Sequence, residues 1–430
     1  MFLKRQLEEL TRSGLFPRSF DSQLALNSLT RRADGMFLWA RLMITYLQIR
    51  ALTPRHRLDL VMSTSLPEGL DAMYNRISEI ICSQTTLEKG LAKRMISLLA
   101  VARYPLTPDD FEMAINVANG KLAIDEEERL QRFAEVVVTV CGGVVELVTL
   151  KNPLGGQVIH SFQFVHLSAK EYFTKELSEE NGMTVTTTGA NFLKASMLNS
   201  HVEMAQICLT TIELCPPDQP LCLHGGSTGN GDVGRIDLPF THYAATSWIW
   251  HLVETTKDIS SSAVPSSYST YQVNPHTFRA FIKTLKSFLS NPGAVTAWLH
   301  TTYSISHTPE SQALLEWIEE IPDLMSTNQQ SDAFKLVLDD TKELAEDLSR
   351  LKKTWGKALR GNPIYIWDEA AAYLSSRFLQ PSGATSFTEV GHNRTNEPSN
   401  SRSSDGCFCK VSSSNLTSHF VAILSIWPSR

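Results

Sequence analysis

No apolar run in this 430-residue chain approaches the ~20 residues a membrane-spanning helix requires. Its first residues, Met1-Phe2-Leu3-Lys4-Arg5, enter a charged amphipathic stretch instead of a signal peptide's apolar core. A cytoplasmic, soluble protein without membrane contacts is expected. Cysteine is sparse. Cys82, Cys141, Cys208, Cys215, Cys222, Cys407 and Cys409 are odd in number and contain no C-x-x-C pair, which excludes a dense disulfide framework and paired-cysteine structural zinc. Neither sign of charge dominates: 39 basic and 45 acidic residues, mixed along the chain, give a net charge of -6 and no broad basic field for nucleic acid. The phosphate-cradling pattern G-x-x-x-x-G-K-[ST] is also missing. The two Gly-Lys pairs, Gly120-Lys121 and Gly356-Lys357, are followed by Leu and Ala, so no hydroxyl stands ready to hold magnesium. No enzymatic activity, metal or cofactor is therefore expected.

A hydrophobic share of 42% with 20% charged residues suits a chain packed over most of its length. Residues 1–85 read as helical. Asp34-Gly35 introduces the run Met36 to Ile49, apolar on nearly every side and hence buried, and Ser65-Leu66-Pro67-Glu68-Gly69 precedes Leu70, Met73, Ile77 and Ile80 at helical spacing. Over 86–185, a helix carries Leu91, Met95, Leu98 and Leu99. A second starts at Thr107-Pro108-Asp109-Asp110 with cap, first-turn proline and dipole-matched carboxylates, and spans 108–118. A third opens at Asp125 to Glu128, sets Leu130, Phe133, Val137 and Val140 on one face and stops at Gly142-Gly143. Two strands follow, Val144 to Leu150 and Val158 to Val165, and Ser168 with Glu171 forms a capping box for the next helix. Three helices and a hairpin make a winged helix. The expected fold is mainly α, with a helical lid segment, a winged helix bearing a small β hairpin, an irregular helical arm over 186–380, and a flexible link and truncated β tail over 381–430.

Within the arm, Phe334, Val337, Thr341, Leu344, Leu348, Leu351 and Trp355 recur at alternating steps of three and four. Such a stripe serves either self-association or packing on the arm itself. The loop Gly225 to Gly234 matches two catalytic patterns. Ser227 sits in G-x-S-x-G, with His224 and His242 as candidate bases, and Gly229, Gly231 and Gly234 spell G-x-G-x-x-G. Neither has its required context of a core strand before and a long helix after, so a plain loop is expected. Cys215, Cys222 and His224 do not have zinc spacing, and nothing nearby completes a site with Cys407 and Cys409. A winged helix also raises nucleic-acid binding, but Asp109, Asp110, Glu112 and Glu126 to Glu128 would make its reading face acidic.

Several separated stretches resemble fungal NACHT-type proteins of the STAND class. They are Ala33 to Arg41, Leu66 to Leu70, Tyr104 to Thr107, Phe164 to Ser168 with Glu171-Tyr172-Phe173, Tyr243-Ala244-Ala245 through Trp248 to Leu252, and Gly361-Asn362-Pro363 with Ile366 to Glu369. Residues 86–185 are similar to the winged helix named after GPI inositol-deacylase, which follows the NTPase core in many such proteins. The resemblance, over roughly Leu24 to Phe378, implies an NLR-like regulatory piece acting through protein contacts, either with an NTPase core or with signalling partners, without the core itself. It further implies that His166 occupies the position at which related switches place a histidine against the β-phosphate of ADP.

Overall fold

A computed structural model describes residues 1–17, 19–48, 52–62, 69–120, 130–151, 158–175, 189–215, 239–257, 274–321, 332–380, 385–389 and 409–413. The chain divides into two compact units, Met1–Met204 and Ala205–Arg430. The fold is mainly α with a small antiparallel hairpin, as expected.

In the first unit, α1 (Phe2–Arg12) buries Leu3, Leu7 and Leu10 along one stripe. Asp21 caps α2 (Ser22–Ala33) by accepting from Gln23 N and Leu24 N, and α2 ends on left-handed Asp34 and Gly35. The apolar run becomes α3 (Phe37–Leu47), with Trp39, Leu42, Met43, Tyr46 and Leu47 buried. Its C-terminal carbonyls meet a buried cation. Arg57, on α4 (Pro54–Met62), donates from Nε to Leu47 O at 2.6 Å. This suits the negative end of the α3 dipole, although burial lowers the guanidinium's pKa. Helix α5 (Gly69–Ser83) buries Met73, Tyr74, Ile77, Ser78 and Ile81, a stripe shifted slightly from the expected one, with Ile80 only half-buried.

The winged helix follows. Helix α6 (Thr86–Val101) opens with a Thr85–Glu88 capping box and α7 (Pro108–Ala118) with a Thr107–Asp110 box. Helix α8 is shorter than expected, Phe133–Val140, entered through left-handed Arg132; Asp125 to Glu128 lie outside the described residues. Strands β1 (Val145–Lys151) and β2 (Val158–Phe164) pair from Val145 opposite Phe164 to Lys151 opposite Val158. A third short strand contact, Phe162 N to Leu106 O at 2.9 Å, ties the hairpin to the turn before α7. Phe111, Phe133 and Phe162, one from each layer, form a core triangle with centroids 5.5 to 6.1 Å apart. Beyond the wing lie α9 (Leu167–Thr174), α10 (Gly189–Leu193) and α11 (Met197–Leu214), the last running through the boundary between units.

In the second unit, α12 (Thr241–Glu254), α13 (Pro275–Leu289), α14 (Pro292–Ser304), α15 (Ser311–Glu320) and α16 (Asp332–Gly361) gather around tryptophans. Trp248, Phe288 and Trp298 meet edge to face at 5.3 to 5.9 Å, and Trp298 Nε1 donates to Ala245 O at 2.8 Å. A 3-10 turn (Pro363–Ile366) and α17 (Glu369–Leu374) close the helical part.

Of the two readings of the α16 stripe, packing on its own unit is the one seen. The α16 stripe of Phe334, Val337, Thr341, Leu344, Leu348 and Leu351 is buried, with Trp355 half-buried, against helices of its own unit, Phe334 meeting Phe278 at 5.6 Å. Burying those side chains locally already removes their apolar area from water. Composition predicts a flexible link over 381–406. Thr385–Glu389 (β3) instead pairs antiparallel with Cys409–Ser413 (β4). A partner twenty residues away escapes a reading made from local composition. The apolar stretch Phe420 to Trp427 lies outside the described residues.

Candidate functional site

The junction between β2 and α9 carries the histidine singled out above, and its local chemistry differs from the expected capping box. The N-cap is His166, not Ser168. In extended conformation, it accepts from Ser168 N at Nδ1, 3.1 Å away. Since α9 turns helical two residues earlier than the S-x-x-E pattern predicts, Ser168 lies inside the first turn. Its hydroxyl is 2.9 Å from His166 Nδ1 and 2.9 Å from Tyr74 Oη. One proton order satisfies all three groups: Tyr74 donates to Ser168, and Ser168 donates to Nδ1. The imidazole then carries its proton on Nε2. No described residue accepts that proton, and the ring is exposed.

The support beneath this junction is aromatic. Tyr74 is fully buried, with centroids 5.2 Å from Tyr172 and 6.4 Å from Phe173, and burial raises the pKa of its phenol, keeping it a neutral donor. Tyr172 donates to Asn75 Oδ1, and Lys194 Nζ lies 3.6 Å from the Tyr172 centroid while donating to its carbonyl. Burial depresses the Lys194 amine and raises the Tyr172 phenol. At the same root of the wing, where Val145 pairs with Phe164, Gly142 (φ 60°) and Gly143 (φ 76°) press against the preceding helices. A Cβ on Gly143 would lie 2.3 Å from Thr45 Cγ2, and one on Gly142 would lie 2.9 Å from Ile77 Cγ2. Arg41 of α3 ion-pairs with Glu146 of β1. The winged helix is thus seated on α3 and α5 through the root of the hairpin.

Among the described residues, its outward helices offer few cations to a duplex. Neither α7 nor α8 contains Lys or Arg; α7 carries Asp109, Asp110 and Glu112, and α8 carries Glu135. Arg132, just before α8, lies 3.5 Å from Glu135. A depression of about 620 Å³ between these helices is lined by Pro108, Asp109, Glu112 and residues 130–135, three carboxylates against one guanidinium. Phosphate would be repelled there. The wing itself shows apolar side chains to solvent: Leu147 at 38%, Val158 at 51% and Ile159 at 39% exposure.

Ser227, His224, Cys222, Cys407 and the glycines from Gly225 to Gly234 lie outside the described residues. His242 is exposed at the start of α12, and Cys215 is buried at the end of α11. Among the described residues no group of three or more His, Cys, Asp or Glu could hold a metal, and no helix is long and apolar enough to cross a membrane. Sequence reasoning overlooked Tyr74 as the support of His166 because the two are 92 residues apart and only the fold joins them. No curated protein and no solved structure matches the chain. Residues 79–186, from the end of α5 across the whole hairpin and α9, match the family model of the GPI inositol-deacylase winged helix domain.

Proposed function

We propose that this chain is a non-catalytic regulatory and scaffold module of a NACHT-containing, STAND-type switch, working through protein contacts in the manner of fungal non-self recognition. The observation that carries the reading is the winged helix surface: a would-be reading helix without a cation beside a wing that exposes Leu147, Val158 and Ile159. Apolar side chains with an acidic surround suit a protein partner better than a polyphosphate. In this reading His166 offers its Nε2 proton to the β-phosphate of ADP held by an NTPase core. The N-terminus of α9 adds a favourable dipole.

The test uses the purified chain with a phosphate-loop NTPase core of the NACHT type supplied as a separate polypeptide. The core is expected to bind the chain and to retain ADP longer in its presence. His166→Ala should shorten that retention about tenfold, the worth of one hydrogen bond to a charged group, without weakening the protein contact. Leu147→Asp with Val158→Asp should abolish the contact while leaving the unfolding temperature unchanged. Steady ATP turnover by the chain alone, or retention of random duplex DNA at low salt, would overturn the proposal.

A further inference from the structure

With its apolar stripe buried, α16 presents a different pattern to solvent. Asp339, Glu343, Glu346, Arg350, Lys353, Lys357 and Arg360 follow one another at alternating steps of four and three, all exposed, on the face opposite the buried stripe. Three acids are followed by four bases. The helix macrodipole favours such an order only at the first and last turns. Glu343, Glu346, Arg350 and Lys353 lie mid-helix, beyond its reach. Within the described residues Asp339, Glu346, Lys353 and Lys357 have no ion pair. Glu343 is shared with Arg377, which also binds Asp340, and Arg350 pairs with Asp347.

A sequence of acids then bases along one stripe is its own complement when reversed. Laid antiparallel about a dyad level with Leu348, two copies of α16 set Asp339 opposite Lys357, Glu343 opposite Lys353, and Glu346 opposite Arg350. The remaining stripe position, Arg360, falls opposite exposed Leu336, along which its aliphatic stem can lie. No like charges face each other along the seam, and Lys342 falls opposite the neutral Thr354. From Asp339 to Lys357 the seam is roughly 27 Å long, at the α-helical rise per residue. We propose that the exposed face of α16 docks a second copy of this chain, antiparallel, through this charged seam. The isologous geometry closes at two copies. Being made of exposed ion pairs, the contact is weak and sensitive to salt, since ~1 M salt screens charges beyond about 3 Å.

The test is sedimentation of the full chain at concentrations on the order of 100 µM in low and high salt. Dimer is expected at low salt and monomer at high salt. Asp339→Lys alone and Lys357→Asp alone each place like charges across both ends of the seam and should weaken the dimer roughly tenfold or more. Mixing those two variants should restore association, because each then complements the other, and D339K/K357D in one chain should restore it as well. Circular dichroism and thermal midpoints control for folding; both residues are exposed and outside the core. A monomer at low salt, a dimer indifferent to salt or to D339K, or failure of the mixed variants to associate would each overturn the proposal.

Discussion

Glu203 is largely buried, and desolvation lifts its carboxyl above the usual glutamate range, with Arg94 at 3.2 Å only partly offsetting the rise. A group that takes its proton more readily in the folded state favours folding at acid pH. Its contribution is whole below the ordinary glutamate pKa of about 4.3 and is lost as pH rises through the elevated value. Glu203→Gln, which still accepts from Arg94, should therefore raise the unfolding temperature at pH 7, with the gain vanishing toward pH 4. Thiols respond to the same physics. Burial pushes Cys141 up to about 12 and Cys208 well above the ordinary thiol value, so neither forms thiolate in the native protein. Alkylation at pH 8 followed by peptide mapping should leave both unmodified until denaturant is added. For His166, Asn restores an N-cap acceptor and Ala does not. Thermal unfolding should find His166→Ala about 1 kcal/mol less stable and His166→Asn close to the wild type.

Among the elements, the turn between α8 and β1 concentrates the most constraint. Gly142-Gly143 is readable as a helix stop, but its second role, letting the wing approach Thr45 and Ile77, depends on helices far earlier in the chain. Gly143→Ala should cost about 2 to 4 kcal/mol, combining left-handed strain with the overlap against Thr45 Cγ2. Thr45→Ala in the same chain removes the overlapping methyl and should recover part of that loss, as denaturant titration would measure. The start of α7 was legible because Thr107 bonds its own backbone, with donor and acceptor three residues apart and Pro108 beside it. The α9 cap was misplaced by two residues, since Ser168 has the right pattern and His166 the right geometry. Similarly, the α16 periodicity identified a helix with one apolar stripe but not the surface that stripe would meet.

At the scale of the whole molecule, the winged helix and the helices before it share one core within the first unit. Tyr172 and Phe173 rest on Tyr74, and the wing's root rests on α3 and α5. A fragment of residues 86–185 would expose these aromatic faces to water. It should melt without a cooperative transition by near-ultraviolet circular dichroism, whereas residues 1–204 should unfold cooperatively. Helix positions, the hairpin and the shortage of cations on α7 and α8 follow from the sequence, because periodicity, caps and charge are properties of neighbours along the chain. Only the tertiary structure decided that His166 rests on Tyr74, that the α16 apolar stripe is spent internally, and that two glycines admit Thr45 and Ile77. Each of these is a contact across many residues, set by which surfaces bury each other and not by any local preference.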